Sequence, residues 1–118
     1  MGDSPDSYAY DGKRIKKWNV GANKYGEPWV PGDVIGCCID LDVGLVMYTR
    51  NGRSLGVAFE QIRRGRGLAY YPAVSLSRYE RCRVNFGDRP LAYPQDSYAP
   101  LQTAPVAQVV NNNNDHEI

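Results

Sequence analysis

Histidine is almost absent from this sequence. Of 118 residues only His116 has an ordinary base for neutral pH, and it sits in the closing run NNNNDHEI. Serine and cysteine nucleophiles therefore have no histidine to activate them, which disfavours an enzyme. A formal net charge of +1 gives no overall field toward nucleic acid or an anionic membrane. There is no apolar run long enough to cross a bilayer and the first residues are polar, so neither a span nor a signal peptide is expected. Cysteine is scarce and odd in number, at three. With no signal sequence, that count fits a reduced compartment, the cytoplasm or nucleus. Strong helix formers are also few.

What is abundant points to an all-β chain. The sequence has 12 Gly, 8 Pro and 9 Tyr, the composition of short strands joined by many turns. SYAYD (7–11) alternates aromatic with small or polar residues, as a short strand does. GKRIKKWN reads as a basic, turn-rich segment ending at Trp18, and VGANKYGEPWVPGD reads as a loop. VIGCCIDL, LVMYT and SLGVAF form a meander of three strand candidates. The first turn is Asp42-Val43-Gly44. The second contains Asn51-Gly52, the pair a two-residue type I′ hairpin favours because both central positions need positive φ. EQIRRGRG is long enough for one helical turn before its glycines stop it. LAYYPAVSL and CRVNFG read as two further strands. From Gln95 onward Pro100, Pro105 and small residues lead into the Asn run, which reads as a disordered tail over 95–118 behind a folded region over 1–94.

The adjacent cysteines in DVIGCCIDLD raise metal or redox chemistry, and strand geometry argues against both. Neighbouring strand residues point to opposite faces. Ile35, Cys37, Ile39 and Leu41 share one parity, so Cys37 joins an aliphatic row, where a thiol acts as a small hydrophobe. Val34, Gly36, Cys38 and Asp40 share the other, a layer of small or polar residues. Diverging Cβ vectors make the pair a poor disulfide. A structural zinc site needs about four ligands in paired spacing, and only Cys82 and His116 remain to add. No metal site and no cofactor are expected. Asp40 and Asp42 read as edge and turn residues. Trp29, before VPGD, reads as core. Trp18, at the end of a basic stretch, and Tyr79, flanked by Arg78, Glu80 and Arg81, have the composition of contact residues.

The order of these blocks resembles the SPRY domain. SYAYDG, then GDVIGCCIDL with YTRNGRSLGVAF, then YYPAVSL and VNFG carry the resemblance from about Gly2 to Pro94. KWN, YGEPW and NFGDRPLAYP look most like the SPRY domain in the RING ubiquitin ligase of the Kip-ubiquitylation-promoting complex, and the Ran-binding-protein-M type comes next. The resemblance implies an antiparallel two-sheet β-sandwich with no catalytic residues, which binds a short peptide segment of a partner through loops. Trp18 falls where SOCS-box relatives hold a pocket tyrosine, and Ser77, Arg78, Tyr79 and Glu80 fall where they hold a pocket loop. Arg14, Arg78 and Arg81 would complement acidic groups on the peptide. SPRY domains begin several strands before the SYAYDG block, so an N-terminally shortened sandwich is expected. No RING signature is present, so any ligase activity would lie in a missing region or a partner chain. Two other readings stay open: a sandwich binding a sugar or phosphate through its Arg-rich later loops, and weak RNA contact through Arg63 to Arg66.

Overall fold

The computed structural model describes residues 1–65 and 67–103. They fall into two units, Met1–Arg63 with Ala92–Tyr98, and Arg64–Leu91 with the described residues 99–103.

The first unit holds every strand among the described residues, in two antiparallel three-stranded sheets. Strands β1 (Ala9–Asp11), β2 (Lys16–Asn19) and β3 (Gly21–Lys24) form the first sheet in that order, and β4 (Ile35–Asp40), β5 (Leu45–Arg50) and β6 (Arg53–Glu60) form the second. The second sheet is the meander that the sequence predicts. Asn51 and Gly52 both take positive φ, 51° and 85°, and Arg50 pairs with Arg53, as a type I′ hairpin requires. At the β4–β5 turn Asp40 Oδ1 accepts hydrogen bonds from the amides of Asp42 (2.9 Å) and Val43 (3.1 Å), a turn role for this carboxylate.

The first sheet is the larger departure from the sequence reading. GKRIKKWN and VGANK have the sequence pattern of turn and loop, yet they form β2 and β3. Neither has the β-branched composition of a strand. Their ladder is held by packing against the second sheet, which local propensity does not report. Tyr10, Lys17 and Asn23 share the face turned toward that sheet, where Lys17 Nζ donates to the Ala58 carbonyl at 2.6 Å and lies over the Tyr25 and Phe59 rings.

Two tyrosines do the work of backbone between the sheets. The Tyr10 ring, 7% exposed, packs on Tyr25, Trp29 and Tyr48 with centroids 5.1–5.2 Å apart. Its hydroxyl donates to the Glu27 carbonyl (2.6 Å) and accepts from the Glu27 amide (2.9 Å). Gly26 passes this hydroxyl so closely, at φ 81°, that no side chain fits there. Tyr25 serves a bulge in the β5–β6 ladder, where Gly56 takes φ 92°. Its hydroxyl donates to the Gly56 carbonyl (2.6 Å) and accepts from the Tyr48 amide (3.4 Å), replacing ladder bonds lost at the irregularity.

The far face of the second sheet is covered by Ala92–Tyr98. Tyr93 lies on Gly52, Gln95 Nε2 donates to the Gly52 carbonyl (3.2 Å), and Tyr98 approaches Cys38 and Asp40. Thr49, 3% exposed, and Cys38, 9% exposed, are buried on that side, with Thr49 Oγ1 set against Gly36. Parity thus divides the cysteines as expected, and the exposed member of the pair is Cys37. Protein atoms still crowd its sulfur beside Tyr48, and that desolvation pushes its thiol up to about 11.

The second unit contains no strand among its described residues. LAYYPAVSL and CRVNFG, read as strands, stay irregular, and residues 71–84 are all exposed. A strand exists only as part of a ladder, and none among the described residues pairs with them. EQIRRGRG makes no helical turn in its described residues. Of the expected tail, 104–118 lie outside the described residues, while Leu101–Thr103 form a 3₁₀ turn and the Gln102 amide donates to the Phe86 carbonyl (2.6 Å).

Tyr10→Phe keeps the ring and strands both main-chain groups of Glu27. It should lower unfolding free energy by about 1–3 kcal/mol in urea denaturation, and Tyr10→Ala by about 3–5 kcal/mol. In thiol labelling of the folded protein, Cys82 should react first and Cys37 more slowly with a rate that climbs at alkaline pH. Cys38 should react only on unfolding, and labelling of Cys38 as fast as Cys82 would show that its face is open.

Candidate interaction surfaces

Trp18 stands on the face of the first sheet that points away from the second. The register puts it between Ala9 of β1 and Ala22 of β3, so small neighbours flank the indole on both sides. It is half-buried. The Gly2 backbone lies against the Trp18 backbone and Cβ, and the Val20 amide donates to the Gly2 carbonyl at 2.7 Å. Asn19 Nδ2 donates to the carbonyls of Pro5 and Ser7, each at 3.0 Å, and fixes the segment that precedes β1.

Arg14 lies in the β1–β2 turn of the same sheet. Asp11 organises that turn: Oδ1 accepts the amides of Lys13 (2.9 Å) and Arg14 (3.0 Å), and Oδ2 accepts Arg14 Nη1 (2.9 Å). Burial opposes ionisation of Asp11, but the hydrogen bonds from Arg14 and Lys13 outweigh it and hold the carboxyl below its ordinary range. The Arg14 side chain is 68% exposed, so the guanidinium keeps donors open to a partner.

Ser77, Arg78, Tyr79 and Glu80 form a small closed turn in the second unit. The Ser77 amide donates to Glu80 Oε1 (2.8 Å) and the Glu80 amide to the Ser77 carbonyl (3.1 Å). This lifts Tyr79 into solvent, 85% exposed, with the Arg78 guanidinium 5.3 Å from its ring centroid. The structure therefore brings Arg14 and Trp18 onto one sheet and gathers the four loop residues into one turn, each group within its own unit.

Other surfaces separate less clearly in sequence. Trp29, read as core, is 44% exposed, with Val30 and Val34 at 51% and 43%. One edge of its ring meets Tyr10, and its ring lies on Gly12. The flanking Pro28, Pro31 and Gly32 were the available sign that this segment rides over the surface. Behind it Arg50 donates to Asp33 (2.8 Å) and Glu27 (3.1 Å), and Arg53 makes a two-pronged bond to Glu27. The bonds from Arg53 and Arg50 hold the Glu27 carboxyl down at about 2, and bonds from the Val30 amide, Asn51 and Arg50 hold Asp33 below its ordinary range. These two arginines are neutralised within the fold, which removes them from the phosphate-binding reading. Arg63 is bonded to Asp6 at 3.0 Å, and Arg66 lies outside the described residues. A polar cleft of about 310 Å³ opens between Lys17, Asn19 and Asn23 on the first sheet and Phe59 and Glu60 of β6 with Gln61 just beyond it. Among the described residues no group of three or more His, Cys, Asp or Glu could hold a metal ion, and no helix is long and apolar enough to cross a membrane.

Comparison with known proteins places the chain beside a protein family and among many curated relatives, two of which follow. The family model described as SPRY domain matches residues 1–89. The chain is 58% identical over 106 residues to the E3 ubiquitin-protein ligase RKP of Arabidopsis thaliana, an alignment covering 89% of this chain and 8% of that protein. It is 30% identical over 115 residues to the ATP-dependent RNA helicase DDX1 of Xenopus laevis, covering 97% of this chain and 15% of the helicase. The chain thus spans a small part of the length of either relative.

The Glu27 cluster makes stability depend on acid. The folded carboxyl titrates near 2 and its ordinary value is 4.5, so its contribution is complete above 4.5 and is lost as pH falls toward 2. Thermal melts of the native protein and Glu27→Gln should differ at pH 6 and converge as pH drops through that window. A gap that persists unchanged at the acid end would place the effect in packing instead of charge.

Proposed function

This chain belongs to the SPRY domain family, and we propose that it is a non-enzymatic interaction module that captures a short peptide segment of a partner protein. Trp18 supports this reading most directly: a large aromatic side chain on an outward sheet face, seated between two alanines, is the geometry of an anchor for a partner's apolar residue. The exposed Tyr79 turn with Arg78 supplies a second contact of the same kind, and Arg14 an open donor for carboxylates. The two relatives support the absence of chemistry in this segment. One is a ubiquitin ligase and the other an RNA helicase, so the part they have in common with this chain is not what distinguishes their reactions.

The higher identity to the ligase points to a role in a ubiquitin ligase, recognising a substrate or partner for machinery carried elsewhere in the polypeptide or on another chain. Its place of action in this reading is the cytoplasm or nucleus, where unpaired thiols persist.

A displayed library of random peptides, selected on the folded chain, should yield enriched binders. An enriched peptide that docks on the first sheet should lose on the order of 2 kcal/mol in calorimetry with Trp18→Ala, and one that docks on the 77–80 turn should lose as much with Tyr79→Ala, with circular dichroism unchanged. Failure to enrich any peptide, or equal affinity in both variants, would remove the reading.

A further inference from the structure

Two lysines stand directly opposite each other on the Trp18 face. The register runs Asp11, Lys16, Lys24 across the three strands in one row and Ala9, Trp18, Ala22 in another, two residues along β2. Like charges opposed across an antiparallel pair destabilise it, and among the described residues neither lysine forms an ion pair. Asp11 occupies the third place in that row, but its carboxylate accepts three bonds from Lys13 and Arg14 in the turn. Lys17, between the two rows, points to the other face and bonds Ala58. The outward face therefore carries two uncompensated cations beside one aromatic.

We infer that this face selects extended peptide segments in which acidic side chains lie two residues from an apolar one, an inference that rests on the peptide-binding reading above. The match is one of pitch and charge. Side chains two apart on an extended peptide point the same way and are about 7 Å apart. That is also the separation of the Lys16 and Trp18 rows. A segment lying along β2 thus seats its apolar residue on the indole between Ala9 and Ala22 and brings a carboxylate to Lys16 and Lys24. Binding relieves the repulsion between the lysines, so part of the selectivity is already stored in the free sheet.

The test uses three fluorescein-labelled decapeptides built on Glu-Ser-Leu-Ser-Glu, with Glu kept, replaced by Gln, or replaced by Lys, measured by polarisation at low salt. The Glu peptide should bind about tenfold tighter than the Gln peptide, the scale of two partly exposed ion pairs. The double variant Lys16→Glu with Lys24→Glu should shift the preference to the Lys peptide, and Lys16→Gln alone should reduce the Glu preference. Thermal melts establish that each variant is folded. Equal binding of the Glu and Gln peptides overturns the inference while leaving peptide capture intact. If library-selected peptides also fail to bind, it is the reading of peptide capture that falls. Equal competition by oligo-dT, unaffected by Trp18→Ala, would show a general anion surface and overturn the inference as well.

Discussion

The first unit depends on the Tyr10 side chain. Its ring joins one strand of the first sheet to Tyr48 of the second, and its hydroxyl takes both main-chain groups of Glu27. That bond fixes the start of the loop carrying Trp29. It also sets the Glu27 carboxylate where Arg50 and Arg53 reach it from the β5–β6 hairpin. A phenylalanine would fill the same space and supply none of this, because an unmade bond to a buried main-chain group costs more than a typical made one contributes. The high tyrosine content is thus structural in part. Tyr10 and Tyr25 close backbone accounts that short, bulged strands leave open.

The alternation of β2 divides labour between two faces. Lys17 and Asn19 turn toward the second sheet, while Lys16 and Trp18 turn away from it. One strand of four residues therefore holds the sheets together on one face and carries the proposed recognition surface on the other. The arginines behave oppositely to what their clustering in sequence suggests. Arg50, Arg53 and Arg63 are matched by carboxylates from distant parts of the chain. On the first sheet, the cations open to a partner include Lys16, Lys24 and the half-engaged Arg14.

Features set by near neighbours were legible in the sequence. Asn51-Gly52 requires positive φ within two residues, and it appears as a hairpin. Asp40 was readable as a turn residue for the same reason. The SPRY blocks were legible because their order, more than any one of them, is specific. Features set by distant partners were not legible. Lys-Lys-Trp-Asn becomes a strand only because Tyr10 and Ala58 lie where they do. Ala69 to Leu76 has strand composition and no ladder, since composition records what a segment tolerates and not what lies beside it. The faces of Cys37 and Cys38 followed from parity, but which face is covered depended on Tyr98, 60 residues further on. Among the candidate contact residues, Trp18 and Tyr79 were singled out by residue type. The lysine pair was invisible until β2 and β3 were in register.

The first unit is discontinuous in sequence: Ala92–Tyr98 returns to it after Arg64–Leu91 has formed a separate unit. During synthesis the far face of the second sheet, with Thr49 and Cys38, therefore stays open until the chain has grown past Tyr98. The segment between amounts to an excursion from a completed frame. The entropic cost of closing such an excursion rises only slowly with its length. Its Ser77–Glu80 turn is thus free to lengthen, shorten or change composition at small thermodynamic cost to the sheets, and the two candidate surfaces can diversify at different rates.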